Sequence, residues 1–137
     1  MNTPLAKPIP VPDADSRPYW DGANQDRFMF QRCRACGAAQ FYSRSLCSHC
    51  RASDLAWEQA RGTGTVASFT VVNRAPLAAF AADTPYVIAL VDLDEGIRFL
   101  CNVTGCPPQA VRIGLPVQVI FESRDGSDQK IPQVRPA

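Results

Sequence analysis

The sequence predicts a mainly β protein: a short N-terminal helix, then a small metal-clamped ribbon, then a five-stranded barrel. Three observations carry that prediction. Two Cys-x-x-Cys pairs, Cys33/Cys36 and Cys47/Cys50, stand ten residues apart. Beyond residue 62, apolar and polar residues alternate with the period of strands. Ahead of the cysteines, Ser16 and Pro18 mark the start of one helix, with a proline-rich stretch before it.

With 137 residues, 46% of them hydrophobic, the chain can bury a core and fits one domain, or one domain with a small appended module. No run approaches the roughly 18 consecutive apolar residues of a membrane helix. Residues 1–12 lack the charged start and apolar stretch of a signal peptide, which predicts a soluble, cytoplasmic protein. The formal charge is +1 with neutral cysteines, and four thiolates around a divalent cation would make it slightly negative. Neither value is an overall basic footprint for nucleic acid.

Taken in order, residues 1–18 hold five of the twelve prolines and read as an extended arm, loose or laid across a partner. Ser16 is the expected cap of a helix that has Pro18 in its first turn, runs to about Gln25 and presents Tyr19 and Trp20. Residues 27–32 alternate as a strand, with Phe28 and Phe30 on one side and Met29 on the other. Residues 38–42 are the return strand, and Leu55 and Trp57 alternate in a third. Strand, cysteine turn, strand, cysteine turn, strand is the pattern of a zinc ribbon, a module so small that metal ligation supplies much of its folding free energy.

Each Cys-x-x-Cys pair gives two sulfurs from one tight turn, so Cys33, Cys36, Cys47 and Cys50 can close a tetrahedral site with no open position. Zinc is the expected occupant; iron uses the same four thiolates, and a disulfide or redox dithiol is the weaker alternative. His49, the one histidine, lies between two cysteines that already complete the set and is expected to stay out of it. Four arginines (Arg32, Arg34, Arg44, Arg51) and no acid lie between residues 31 and 53. They balance the anionic metal-thiolate cluster, or they form a phosphate-binding surface, since arginine offers bidentate donors.

The glycines of residues 62–64 open a strand to about residue 73, with Ala67, Phe69 and Val71 on one face and Ser68 and Thr70 on the other. Residues 86–93, almost continuously apolar, fit a central strand. A turn at 94–96 leads to residues 97–103, where Ile97, Phe99, Cys101 and Val103 share the inward face; this makes Cys101 a core filler. Residues 117–121 and 131–134 supply the last two strands. Five short strands in a meander with one irregular crossing, at 106–115, describe a small closed barrel of the OB type. The connection 74–85 carries Leu77 and Phe80 and is long enough to be functional: it either docks a partner, lines a channel or caps the barrel. The expected division is arm and helix at 1–26, zinc ribbon at 27–60 and barrel at 61–137.

In order and spacing, the segments PYWDGANQDRFMFQRCRACGAAQFYSRSLCSHC, GTGTVASFTVVNRAP, PYVIALVDLDEG and RIGLPVQVIFE resemble the acyl-CoA-associated OB-fold family with a rubredoxin-like zinc ribbon in front, known as domain of unknown function thirty-five. The similarity covers about residues 19–121. It implies a non-catalytic accessory or scaffold subunit of a thiolase-fold enzyme (a thiolase, an acyltransferase or an aldolase), which assembles a hetero-oligomer and helps to form the acyl-CoA path. The metal set carries over as Cys33, Cys36, Cys47 and Cys50. The second knuckle departs from the pattern in ending on Arg51, where glycine often stands, which puts the geometry of that turn in question.

Within that expectation, Arg34, Arg44 and Arg74 are candidates for coenzyme A phosphates, and Tyr19, Trp20, Leu77 and Phe80 for the partner interface. No catalytic residue is expected: acyl transfer needs a nucleophile beside a base, the single histidine lies in the metal turn, and Cys106 reads as a passive loop thiol. Two other classes stay open. Zinc ribbons and OB barrels both occur as nucleic-acid-binding modules, although the near-neutral charge and Asp92, Asp94 and Glu95 oppose that reading. Iron in the four-thiolate site would make an electron-transfer protein.

Overall fold

The computed structural model describes residues 6–137; the first five residues of the expected arm, Pro4 among them, lie outside that range. One helix, α1 (Arg17–Asn24), precedes a three-stranded antiparallel sheet of β1 (Met29–Cys33), β2 (Ala39–Gln40) and β3 (Leu55–Gln59), in the order β2-β1-β3. Five strands then close a barrel: β4 (Thr63–Val72), β5 (Tyr86–Leu93), β6 (Arg98–Val103), β7 (Pro116–Glu122) and β8 (Ile131–Pro136), in the order β4-β5-β6-β8-β7. The first three form a meander. The chain then crosses to β7 beside β4, and β8 returns to fill the gap, meeting β6 in parallel at Val103 and Val134. This is the expected OB topology, with its irregular crossing between β6 and β7.

Alternation fills the barrel. Along β5, Val87, Ala89, Val91 and Leu93 are buried, and along β6 Phe99, Cys101 and Val103 join them, with Ile97 just ahead. The β4 alternation departs from expectation: a bulge between Val66 and Ser68 shifts the register, so Gly64 and Val66 point inward before it and Phe69 and Val71 after it. The bulge adds one residue to one strand, and the face changes parity there. Gly64 must be glycine, because a Cβ would lie 2.2 Å from the Asp92 carbonyl oxygen. Gly62, at φ +83°, turns the chain into β4 and accepts the Val119 N–H at 2.7 Å.

The helix start also differs from expectation. Ser16 is the residue ahead of α1, but its hydroxyl makes no cap bond; it donates instead to the Asp13 carboxylate, 2.8 Å away, which also accepts the Ser16 N–H. The acid three residues upstream therefore orders this turn. At its other end α1 is tied to the β7–β8 connection: Asn24 Oδ1 accepts the Lys130 N–H at 2.8 Å, and Lys130 pairs with Asp26.

Ribbon and barrel share one core. Phe28 rests on Phe99 with ring centroids 4.8 Å apart, Phe41 packs on both, and Tyr19 stands edge-on to Phe28 and Phe41. The aromatic cluster is continuous with the barrel core, and the Ala60 N–H donates to the Phe28 carbonyl where ribbon becomes barrel. No helix among the described residues is long and apolar enough to cross a membrane.

Candidate metal centre and adjoining cavities

The two cysteine turns are copies of each other. Gly37 N–H donates to Cys33 O at 2.8 Å and Cys33 N–H to Ala38 O at 2.9 Å; in the second turn Arg51 donates to Cys47 O at 2.9 Å and Cys47 to Ala52 O at 2.8 Å. Both turns end in the left-handed region, Gly37 at φ +79° and Arg51 at φ +66°. The substitution of arginine for glycine therefore leaves the turn unchanged, and the hydrogen bonds offset a modest backbone strain.

The four sulfurs lie within 4.8 Å of one another, with Cys33 to Cys50 at 3.6 Å and Cys36 to Cys47 at 3.7 Å. A tetrahedron of sulfurs at the zinc–thiolate bond length has edges of about 3.8 Å, so the donor set fits zinc as it stands. The Cys50 and His49 backbone N–H groups point at the Cys47 sulfur, 3.4 and 3.3 Å away, and pull its pKa down to about 6. For Cys36, the Ala38 N–H works in the same direction, but burial and the neighbouring sulfurs outweigh it and push the thiol up to about 12. Four adjacent sulfurs cannot all ionise alone; a divalent cation is what would hold four thiolates together. His49 is exposed and outside the cluster.

Two residues that the sequence did not single out hold the loop between the knuckles. Gln31 and Gln40 face each other across β1 and β2, both buried. Gln31 accepts from the Arg44 N–H and donates to the Arg44 carbonyl, both at 2.9 Å; Gln40 accepts the Ser48 N–H at 2.8 Å and donates to Gln31 Oε1. A glutamine offers a donor and an acceptor from one stem, so the pair replaces the ladder that β2 abandons after Gln40. The expected return strand of 38–42 is accordingly only two residues long, and Tyr42 turns out of it at φ +50°. No local signal marked them: Gln31 falls on the strand face opposite Phe28 and Phe30, which alternation alone assigns to solvent.

The remaining candidates are scattered. Arg34 is exposed and pairs with Asp54 at 2.9 Å, while Arg44 and Arg74 are exposed with no ion pair among the described residues. Tyr19 packs into the chain's own core, where burial holds its phenol well above the ordinary range; Trp20 lies against it. Leu77 is exposed, and Phe80 sits in the 3₁₀ turn Ala78–Asp83, none of whose residues is buried. Cys101 is buried in the barrel, which pushes its thiol up to about 12.

Two cavities open on the barrel surface. One, of about 540 Å³, lies over the outer faces of β5 and β6 and is walled by Lys7, Phe80, Glu122 and Arg124. The other, of about 320 Å³, lies among Tyr19, Trp20, Phe41 and Tyr42. Leu100, Ile131 and Pro132 line both. The arm, expected to be loose or on a partner, here lies on the barrel: Lys7 pairs with Asp83 at 2.7 Å, and the Pro8 carbonyl accepts from Arg124.

A helix-led four-cysteine ribbon joined through an aromatic core to an OB barrel defines a class of two-part zinc-ribbon and OB-fold proteins. Family comparison sharpens this: residues 20–56 match the family described as ChsH2, rubredoxin-like zinc ribbon domain, and residues 57–122 match ChsH2, C-terminal OB-fold domain. A DUF35 domain-containing scaffold protein of Methanocaldococcus jannaschii is 38% identical over 100 residues, covering 71% of this chain and 70% of that relative. The chain belongs to this DUF35 family. A probable enoyl-CoA hydratase alpha subunit of Thermomonospora curvata is 36% identical over 131 residues, 96% of this chain. The chain spans only 40% of the length of that relative. A solved structure titled Ltp2-ChsH2(DUF35) aldolase superposes with a TM-score of 0.83 at 35% identity, over 93% of this chain and 98% of that one.

Proposed function

We propose that this chain is a non-catalytic accessory subunit of a thiolase-fold acyl-CoA enzyme, which assembles the complex and helps to form the path of the acyl-CoA. The observation that carries the reading is the end-to-end match to a DUF35 chain whose structure is titled as an aldolase together with Ltp2. The names of other relatives, scaffold proteins and hydratase alpha subunits, point the same way. The chain's own chemistry supports an accessory role. The sole histidine sits in a metal knuckle, and a buried Cys101 whose thiol lies near 12 is no nucleophile at neutral pH.

In this reading residues 27–60 are the connector, residues 61–137 face the ligand, and the protein works in the cytoplasm. Of the three candidate arginines, Arg44 and Arg74 are exposed and unpaired among the described residues and so are free to take phosphates, whereas Arg34 would have to leave Asp54. Leu77 and Trp20 offer apolar contact to the partner. Co-expression with thiolase-fold proteins followed by size-exclusion chromatography tests the assignment. Co-elution with one of them, together with a change in its turnover, is expected; a chain that stays alone with every one and alters no turnover overturns it.

A further inference from the structure

The smaller cavity is built by all three parts of the chain. Tyr19 and Trp20 come from α1, Phe41 and Tyr42 from the loop between the cysteine turns, and Phe99 from β6. Tyr19 is packed into the core and Phe99 is 2% exposed, so these two rings form the base. Trp20, Phe41 and Tyr42 are less buried and form the walls; Trp20 stands at 65° to Tyr19 and Tyr42 at 41° to Phe41, so ring faces and ring edges both line the space. Its volume, about 320 Å³, is at the low end for a ligand site and suits a single long side chain. Tyr42 is the most exposed of these rings and lies in the left-handed region at φ +50°. Gln31 holds both the N–H and the carbonyl of Arg44, two residues further on, so the buried glutamine pair fixes the loop that presents this ring.

The charge beside these rings has one sign. Asp13 and Asp15, both exposed, line the cavity, and no lysine, arginine or histidine does. Neither acid is in an ion pair among the described residues. Asp13 is fixed in place, because its Oδ1 accepts both the N–H and the hydroxyl of Ser16 at 2.8 Å. A phosphate would be repelled here, and an apolar side chain would cover two carboxylates without compensating them. A cation gains from both features, the ring faces and the carboxylates. Among cations the guanidinium fits best, since its plane stacks on a ring while its edge donates two hydrogen bonds to a carboxylate. The rim tells a protein from a free small cation. Leu100 and Tyr42 are each 56% exposed, and Ile131 and Pro132 adjoin them; a small cation would leave this apolar area in water, and a protein surface covers it.

The geometry points to this cavity as the anchor site for an arginine side chain presented by a partner protein, its guanidinium stacked on the aromatic walls and its edge turned to Asp13 and Asp15. Given the function proposed above, on which the partner's identity rests, the arginine belongs to the enzyme subunit. Because helix, ribbon and barrel each supply part of the site, only the metal-loaded, fully folded chain presents it.

The test uses the metal-loaded chain, first alone and then with its partner. Alone, it is titrated with N-acetylarginine methylamide and with the citrulline counterpart, which is neutral and nearly isosteric, while amide chemical shifts are followed. The arginine probe is expected to shift the amides of Trp20 and Tyr42 saturably, and the citrulline probe to leave them unmoved. Tyr42→Asn removes the ring while asparagine tolerates the left-handed backbone, and Asp15→Lys reverses a charge at an exposed position. At unchanged metal content, each is expected to abolish the arginine shifts and to weaken the complex with the enzyme subunit about tenfold or more. Equal shifts from both probes, no shifts from either, or arginine shifts that both variants leave intact would each overturn the inference. A complex weakened by Tyr42→Asn and indifferent to Asp15→Lys would mean an apolar occupant and would overturn it as well. So would a complex that forms as tightly with both variants as with the parent, and that outcome leaves the accessory function standing. Arginine binding by a chain that joins no thiolase-fold protein supports the site and overturns the accessory function instead.

Discussion

The ribbon and the barrel bury their interiors by different means. In the barrel, period-two alternation on five strands places Val66, Val91, Phe99, Val117 and Val134 inside a closed sheet in which every strand has two neighbours. In the ribbon, β2 is two residues long and β3 has a free edge, and the interior is made of the buried Cys33 and Cys47 of the four-sulfur cluster, a glutamine pair and the Phe28 side of β1. Burial scales with apolar area, which the barrel has in plenty; the ribbon substitutes bonds to a metal for the area it lacks. The difference teaches where each part is vulnerable. The barrel loses stability in proportion to lost contacts, and the ribbon loses it all at once.

The largest expected effect breaks that comparison open. Cys47→Ser removes the sulfur on which two backbone N–H groups converge. Structural zinc in small modules is worth about 10–16 kcal/mol of apparent binding free energy, far more than a ribbon this small can replace by packing. The variant is expected to lose its metal, measured as metal per chain, and to lose amide protection through β1–β3 while β5 stays protected. A variant without metal whose ribbon amides remain protected would show that the glutamine pair and aromatic packing suffice.

A smaller effect sharpens the comparison by testing whether the two parts melt together. Phe28 belongs to β1's side of the chain but rests on Phe99 of the barrel, which is 2% exposed. Phe28→Ala should cost about 3–5 kcal/mol, the usual loss for a buried aromatic. Because the ring is shared and the bound metal holds the ribbon in place, calorimetry of the metal-loaded variant should show one transition lowered as a whole. Two separated transitions, with the barrel's unmoved, would mean that the ribbon is an appendage.

The two regions also differed in how much the sequence revealed. The cysteine spacing is local information, and it named the metal set. Alternation is local too, so residues 97–103 could be placed with Cys101 inward from their own pattern. What stayed hidden depends on partners far along the chain. The β4 bulge is visible only against the β5 register, so Val66 was missed as a core residue. Gln31 and Gln40 matter because their side chains meet across two strands. Arg124 and Lys7 are 117 positions apart, and only the folded arm brings both over Phe80, whereas Arg34, Arg44 and Arg74, chosen for their residue type, line neither cavity.

The smallest expected effect concerns the surface, where the two regions should behave alike. Asp92 and Arg98 face each other directly across β5 and β6, joined by bonds of 2.6 and 3.0 Å; Arg32 and Glu58 join β1 to β3 at 2.8 Å. The hydrogen bonds from Arg98, more than its charge alone, hold the Asp92 carboxyl below the ordinary value of 3.8. A carboxyl depressed in the folded state stabilises the fold above its unfolded pKa, and that contribution is lost as pH falls through the lower folded value. Asp92→Asn should therefore lower the urea midpoint slightly and evenly from neutrality down to about pH 5, and the gap to the parent should close below about pH 4. Both groups sit on the solvent side, where long side chains and salt leave little net gain, so the shift should fall well short of that from Phe28→Ala. A loss as large as the Phe28 variant's would mean that cross-strand charge, and not the alternating interior, holds the barrel closed, and the contrast with the ribbon would have to be redrawn around it.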